Sequence, residues 1–281
     1  MIIQQDEQVG QVPVEDLGVL LLAHTGIALT QALLNACMDH NVVIVFCDRQ
    51  YLPHSVLLPL SGHSLHTKTL HQQIAAKKTV TKQLWQQIVQ AKIKCQACTI
   101  KVLTDHSASY LSQLAKTVRS YDMDNKEAQA AQWYWRHLFG DAFRRNPELG
   151  GVNMLLNYGY AILRSAVARA IVSAGLHPAL GIKHCNQYND FCLADDLMEP
   201  FRPWVDWHVF QLVTSAGYHH EVLQKFHKEA LLKILSCDVL IEKRKLPFMV
   251  ALHYYLASFK RVMFGECKKL VVPVLLKQTE S

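Results

Sequence analysis

Short apolar runs rich in β-branched residues punctuate the first sixty positions, at 12–14, 17–22 and 42–46, with turn-prone Gly and Asp residues between them. Runs of this length and composition predict strands. Between the second and third lies a stretch in which Thr30 can cap a short helix that presents Leu33, Leu34 and Cys37 on one face. From 53 to 69 the periodicity lapses into Leu, Pro, Ser, Gly and His, the composition of a linker or an extended hairpin. A domain boundary is expected there, giving an N-terminal β domain over residues 1–65 and a helical domain over 66–281.

Beyond the boundary a helical period of about 3.6 takes over. Leu84, Trp85, Ile88 and Val89 recur at helical spacing opposite Lys82, Gln83, Gln86 and Gln87, which predicts an amphipathic helix. Further helices are expected over 111–118, 126–139, 152–174, 205–215, 220–235 and 247–264, the last with Pro247 in its first turn. The most apolar segment, 152–180, is interrupted by Asn157, Arg164 and Arg169, so it reads as a buried helix rather than a bilayer span. The expected class is therefore α+β, strands first and a larger all-α region after them.

Half of the 281 residues are hydrophobic and 19% are charged, which excludes a disordered polar chain. A net charge of +6 favours a polyanionic partner without identifying one. The eight cysteines are scattered and mostly lie within apolar stretches, as in a reduced cytoplasmic protein. Cys95 and Cys98 form a C-x-x-C with no second pair at zinc-ribbon spacing, so two helix cysteines are expected there rather than a metal site. The opening Met1-Ile2-Ile3-Gln4-Gln5-Asp6 turns polar at once and lacks the pattern of a signal peptide.

Three segments could carry chemistry. Glu127 shares a helical face with Tyr134 and with Ala130 and Ala131, small residues that let another helix approach. His184 follows Gly181 in a G-x-x-H and precedes a polar loop of Cys185, Asn186, Gln187, Tyr188 and Asn189. Asp196 and Glu199, at i and i+3, place two carboxylates on one helical face, where they repel unless a cation or a proton is shared. Each segment alone has an ordinary explanation: a helix-start charge, one histidine among fifteen, and an acidic first turn.

Together, E-A-x-x-A-x-x-Y at Glu127, Asn157-Tyr158-Gly159-Tyr160, the G-x-x-H at His184 and D-L-M-E-P-F-R-P from Asp196 closely resemble the CRISPR-associated integrase family, the first of the numbered Cas proteins. The details look most like its type II branch. The resemblance implies an N-terminal β-sandwich domain followed by an all-helical catalytic domain. It implies a metal held by Glu127, His184 and Glu199, with Asp196 coordinating or standing behind them. Carboxylates with one imidazole suit Mg²⁺ or Mn²⁺. Such an ion serves strand transfer when the nucleophile is a 3′-hydroxyl and hydrolysis when it is water. Expected DNA contacts are Lys183 and Arg202, which flank the ligands, with Arg164, Tyr158, Gln187 and Tyr188.

The implied activity is insertion of short foreign DNA into a CRISPR array. The implied partners are double-stranded DNA, a second copy of the chain and a small ferredoxin-like subunit, the second numbered Cas protein. A hydrolytic nuclease on branched DNA and a noncatalytic DNA-binding scaffold are the competing readings. No G-x-x-x-x-G-K-[ST] phosphate loop is present, as befits a reaction that needs no nucleoside triphosphate. Family members usually carry roughly twenty residues of opening strands before the segment that resembles 12–22. The resemblance therefore leads one to expect a β domain shortened at its start.

Overall fold

The first sheet opens ahead of the apolar run at 12–14. The computed structural model describes residues 1–5, 8–24, 26–49, 52–60, 62–216 and 223–275. In it β1 (Ile2–Gln5) pairs antiparallel with β2 (Gln8–Gln11), Ile2 opposite Gln11. The expected strand at 12–14 is therefore displaced toward the N-terminus. Pro13 has no N–H to donate, so the ladder stops at the mutual backbone bonds of Met1 and Val12.

A second sheet follows the predicted runs closely. β3 (Val19–Leu22) leads through α1 (Gln31–Asp39) to β4 (Val43–Cys47), which lies parallel to β3 and antiparallel to β5 (Pro53–Leu57). A parallel pair needs a crossover of this kind, and α1 supplies it. Thr30 caps α1 by accepting from Leu33 N at 3.2 Å. The segment expected as linker or hairpin thus contributes an edge strand. Leu22, Cys37, Val42 and Ile44 form a small core here, while Leu21, Leu52 and Leu58 pack against the larger one.

After α2 (His66–Ile74), the larger core is built from helices α3 (Lys78–Leu103), α4 (Ser109–Thr117), α5 (Lys126–Phe139), α6 (Val152–Ser173), α7 (Cys192–Met198), α8 (Arg202–Ala216), α9 (Lys225–Leu232) and α10 (Phe248–Met263). The chain is therefore a mixed α+β protein with small sheets at the N-terminus and a large helical part, as expected. Cys95 and Cys98 lie half-buried on α3, and neither is in a disulfide. The helix expected over 220–235 runs from Lys225 to Leu232 and continues as a 3₁₀ turn (Lys233–Ser236), and residues 220–222 lie outside the described residues.

The expectation of an all-α second region needs one correction. β6 (Asp238–Ile241) and β7 (Arg244–Pro247) form a hairpin, and β8 (Val274–Leu275) pairs with the other edge of β6. Glu242 and Lys243 at its tip have φ of 47° and 66°, the double left-handed geometry of a tight hairpin turn. Around β8 the chain returns to α3, where Gln87 donates to Lys268 O (3.1 Å) and accepts from Leu270 N (2.8 Å). No helix among the described residues is long and apolar enough to cross a membrane.

Helices α6 and α8 meet at Gly159. A Cβ built there would stand 2.4 Å from Val205 Cγ1, closer than packed atoms tolerate. Gly159→Ala is expected to destabilise the fold by about 1–3 kcal/mol through overpacking, despite the better helix propensity of alanine. A urea-denaturation midpoint equal to or above that of the native protein would show that the helices can separate at little cost.

Candidate active site

Glu127 sits in the first turn of α5, and an unusual run of backbone places it there. Tyr121, Asp122 and Asn125 all have left-handed φ, at 62°, 51° and 52°. Such conformations cost energy in non-glycine residues and persist where the surroundings fix them. The fixing is done by the buried Asp122 carboxylate, which accepts from Lys126 N (2.8 Å) and Glu127 N (3.0 Å) and so caps the helix.

The Glu127 carboxylate meets a partner that the sequence motifs did not single out. Lys92 Nζ, from α3, lies 2.7 Å from Glu127 Oε1 and 2.5 Å from Glu199 Oε2. The two carboxylates are therefore no farther apart than these contacts laid end to end. Arg202 Nε donates to the other Glu199 oxygen at 2.7 Å, completing a chain of alternating charge. Burial works against the Glu199 carboxylate, but Arg202 and Lys92 outweigh it and hold its pKa well below the usual range. Burial likewise opposes the Lys92 ammonium, and Glu199 and Glu127 outweigh it, raising the pKa.

Asp196, one turn before Glu199, faces a different element. Fully buried on α7, it accepts from the backbone N–H groups of Ile182 (2.7 Å), Lys183 (3.0 Å) and His184 (3.2 Å). Its Oδ1 also accepts a hydrogen bond from His184 Nδ1 at 2.6 Å. An ionised carboxylate can only accept, so this bond places a proton on Nδ1, and in the neutral ring Nε2 is the nitrogen that carries the lone pair. The bond to Asp196 raises the His184 pKa against the opposing effect of burial. Gly181 permits the tight approach, since a Cβ there would lie 2.2 Å from His184 O and 2.9 Å from Asp196 Oδ2. Trp85 backs the imidazole edge-on, with ring centroids 5.8 Å apart.

The structure thus joins Glu127 with Glu199 through Lys92, and His184 directly with Asp196. His184 and Glu199 lie close enough for each to act on the other's proton affinity. No three His, Cys, Asp or Glu side chains among the described residues form a ready-made metal cluster. An ammonium occupies the space between the two carboxylates instead. That a cation already bridges them, beside an imidazole whose Nδ1 is tied to a buried carboxylate, fits the donor set and outer support of a metal site.

The expected DNA contacts divide into three groups. Lys183 lies beside His184 with Nζ 3.9 Å from the Tyr121 ring centroid, while Gln187 and Tyr188 are exposed on the adjoining loop. Arg164 is committed to Asp195, at 2.7 and 2.9 Å, and to Asn189. Arg202 is committed to Glu199 and lies 4.7 Å over the Tyr160 ring. Tyr158 does not reach the surface at all: its side chain fills the core between helices, which corrects its expected role at a DNA strand.

Behind the carboxylates, Asp206 accepts from the hydroxyls of Tyr134 and Tyr160, and burial pushes its carboxyl up to about 7 against those hydrogen bonds. A cavity of about 150 Å³ separates this group from the site and is lined by Lys92, Gln96, Glu199 and Arg202 among others. Sequence reasoning missed Lys92, although a signal existed. A lysine four residues after Ile88 and three after Val89 lies on the apolar face of its helix, where an unpaired charge is costly.

The family model described as CRISPR associated protein Cas1 matches residues 1–236. The chain belongs to the Cas1 family. The family resemblance read from D-L-M-E-P-F-R-P is thereby borne out. The chain is 37% identical over 282 aligned positions to the CRISPR-associated endonuclease Cas1 of Neisseria meningitidis serogroup C (strain 8013), with 100% of this chain and 92% of that protein covered. Among solved structures, a casposase bound to an integration product superposes with a TM-score of 0.78 at 19% identity, covering 95% of this chain and 85% of that one. A Cas6-RT-Cas1–Cas2 complex gives a TM-score of 0.74 at 18% identity, covering 95% of this chain and 33% of that chain. At such identities the structural likeness is one of fold, and this Cas1 chain shares the fold over almost its whole length.

Proposed function

We propose that this Cas1 protein is a metal-dependent DNA endonuclease and integrase that joins the 3′-hydroxyl of a short foreign DNA to a phosphodiester of a CRISPR array. The observation that carries the reading is the cation clamped between Glu127 and Glu199 next to a His184 ring anchored by Asp196. The names of the Neisseria endonuclease and of the casposase–product complex support it. In the reaction the incoming 3′-oxygen forms a bond to phosphorus, the target strand's own P–O3′ bond breaks, and the proton of the attacking hydroxyl ends on the departing oxygen. The number of phosphodiesters is conserved, so no nucleoside triphosphate is required.

Glu127, Glu199 and His184 Nε2 would hold Mg²⁺ or Mn²⁺, which supplies polarisation of a phosphodiester oxygen and a lowered pKa for the attacking hydroxyl. Asp196 fixes the imidazole plane and its tautomer. Arg202 keeps Glu199 ionised, and Lys183 brings positive charge beside His184 to steady a phosphate. Gln187 and Tyr188 stand ready on the exposed loop for a strand or base contact. The proposed partners are duplex DNA, a second copy of the chain and the small ferredoxin-like Cas2 subunit, the last in line with the Cas1–Cas2 complex of similar fold. A cytoplasmic location follows from that substrate.

The deciding experiment incubates the protein, with and without that subunit, with a 3′-hydroxyl DNA end, a labelled plasmid and Mn²⁺. Joined product is the expected outcome. Nicking alone would replace the reading with a hydrolytic nuclease, and neither product would leave a DNA-binding scaffold.

A further inference from the structure

Lys92 is an uncommon residue for its place. It stands one turn after Ile88, which is fully buried, and its own side chain is only 12% exposed. An ammonium persists in such surroundings when its charge is matched, and here two carboxylates match it, Glu127 at 2.7 Å and Glu199 at 2.5 Å. Those carboxylates are the ones assigned above to a metal ion. Ammonium and metal need the same oxygens, and the two positive charges repel if both crowd between them.

The fold also holds a second place for the ammonium. The cavity of about 150 Å³ is lined by Lys92 itself and by Gln96 and Asp206. Gln96 lies one turn farther along α3, is 2% exposed, and its buried Oε1 accepts no hydrogen bond. A buried carbonyl oxygen without a donor is a deficit that an arriving ammonium would fill. The flexible four-carbon stem of lysine carries its three donors between two such positions.

We infer that Lys92 is a displaceable internal counter-ion, which holds Glu127 and Glu199 together in the metal-free protein and yields to a divalent cation by swinging into the cavity beside Gln96 and Asp206. The inference rests on the metal-site reading above. Lys92 is in this account a positioning residue, acting through the carboxylates. Together with Arg202 it balances the charge of the two carboxylates and keeps the site preassembled, and it lowers the apparent affinity for the metal because each binding event must displace it.

Calorimetric titration with Mn²⁺ tests this on the native protein, Lys92→Met, Gln96→Leu and the double variant. Lys92→Met is expected to bind at least about tenfold more tightly, a factor equivalent to ~1.4 kcal/mol. Gln96→Leu is expected to bind more weakly, because the displaced ammonium loses its second place. The double variant should behave as Lys92→Met, since the role of Gln96 depends on the lysine. Equal or weaker binding by Lys92→Met overturns the displacement alone, as does a Gln96→Leu defect that persists in the double variant. Absence of binding in both the native protein and Lys92→Met removes the metal-site reading itself, and this inference with it. Should Lys92→Met not fold, the native protein decides the matter: with ¹⁵N-labelled lysine, the Lys92 ammonium resonance should move during Mg²⁺ titration, and an unmoved resonance at saturation overturns the inference.

Discussion

Asp196→Ala is expected to destabilise the fold by about 3–5 kcal/mol, the range for breaking a buried, multiply bonded charged group, and to abolish DNA joining. The carboxylate has no exposed surface and accepts four hydrogen bonds, three from consecutive backbone N–H groups at 182–184 and one from His184 Nδ1. Removing it leaves donors in a partly buried loop without an acceptor and frees the imidazole to rotate. Asp196→Asn should do nearly as much harm, because its amide NH₂ must face one of those donors. Urea denaturation followed with a joining assay measures both effects. A loss below about 1 kcal/mol would mean that water replaces the carboxylate readily.

His184→Ala should separate activity from stability. Its side chain is 48% exposed, and the three backbone bonds that hold its loop to Asp196 remain, so the melting temperature should change little. Joining should fall at least about a hundredfold, since even groups that merely support metal ligands cost 10–100-fold when removed. There is also a pH signature. Nε2 must be unprotonated to hold a metal, and the bond to Asp196 raises the His184 pKa, so Mn²⁺ affinity of the native protein should fall as pH drops through that raised value. The variant should lack that step. Full joining with a preserved melt would remove His184 from the ligand set.

The contrast between these two residues marks where the sequence stopped being informative. Spacing put Asp196 and Glu199 on one helical face, correctly, but could not say what lay opposite each. Asp196 meets a loop only twelve to fourteen positions away, whereas Glu199 meets Lys92 on a helix more than a hundred positions earlier. Long-range juxtapositions of that kind leave no local trace beyond a lysine on an apolar face. Elements with strong internal period were legible: α5 was expected over 126–139 and α6 over 152–174, and both formed within a residue of those bounds. The β6–β7 hairpin was not, because Arg244, Lys245 and Glu242 made it look like charged surface, and its turn uses left-handed Glu242 and Lys243 rather than Asn-Gly. Strand β2, Gln-Val-Gly-Gln, exists through its ladder with β1 and carries almost no apolar signal.

The return of the chain to α3 has a consequence for biosynthesis. The Gln87 side chain accepts from Leu270 N, a partner 183 residues later in the chain. At synthesis rates of about 5–20 residues per second, roughly 10–40 s pass on the ribosome between the appearance of the two. During that interval the helix bearing Lys92 has its neighbours at α4 and α5 available but one flank open, with Gln87, Cys95 and Cys98 facing the vacant pocket that residues 269–274 later line. The half-made protein therefore presents a thiol-bearing apolar groove to the translation environment, and the helix that organises the carboxylates is sealed from behind only after Leu270 has left the exit tunnel.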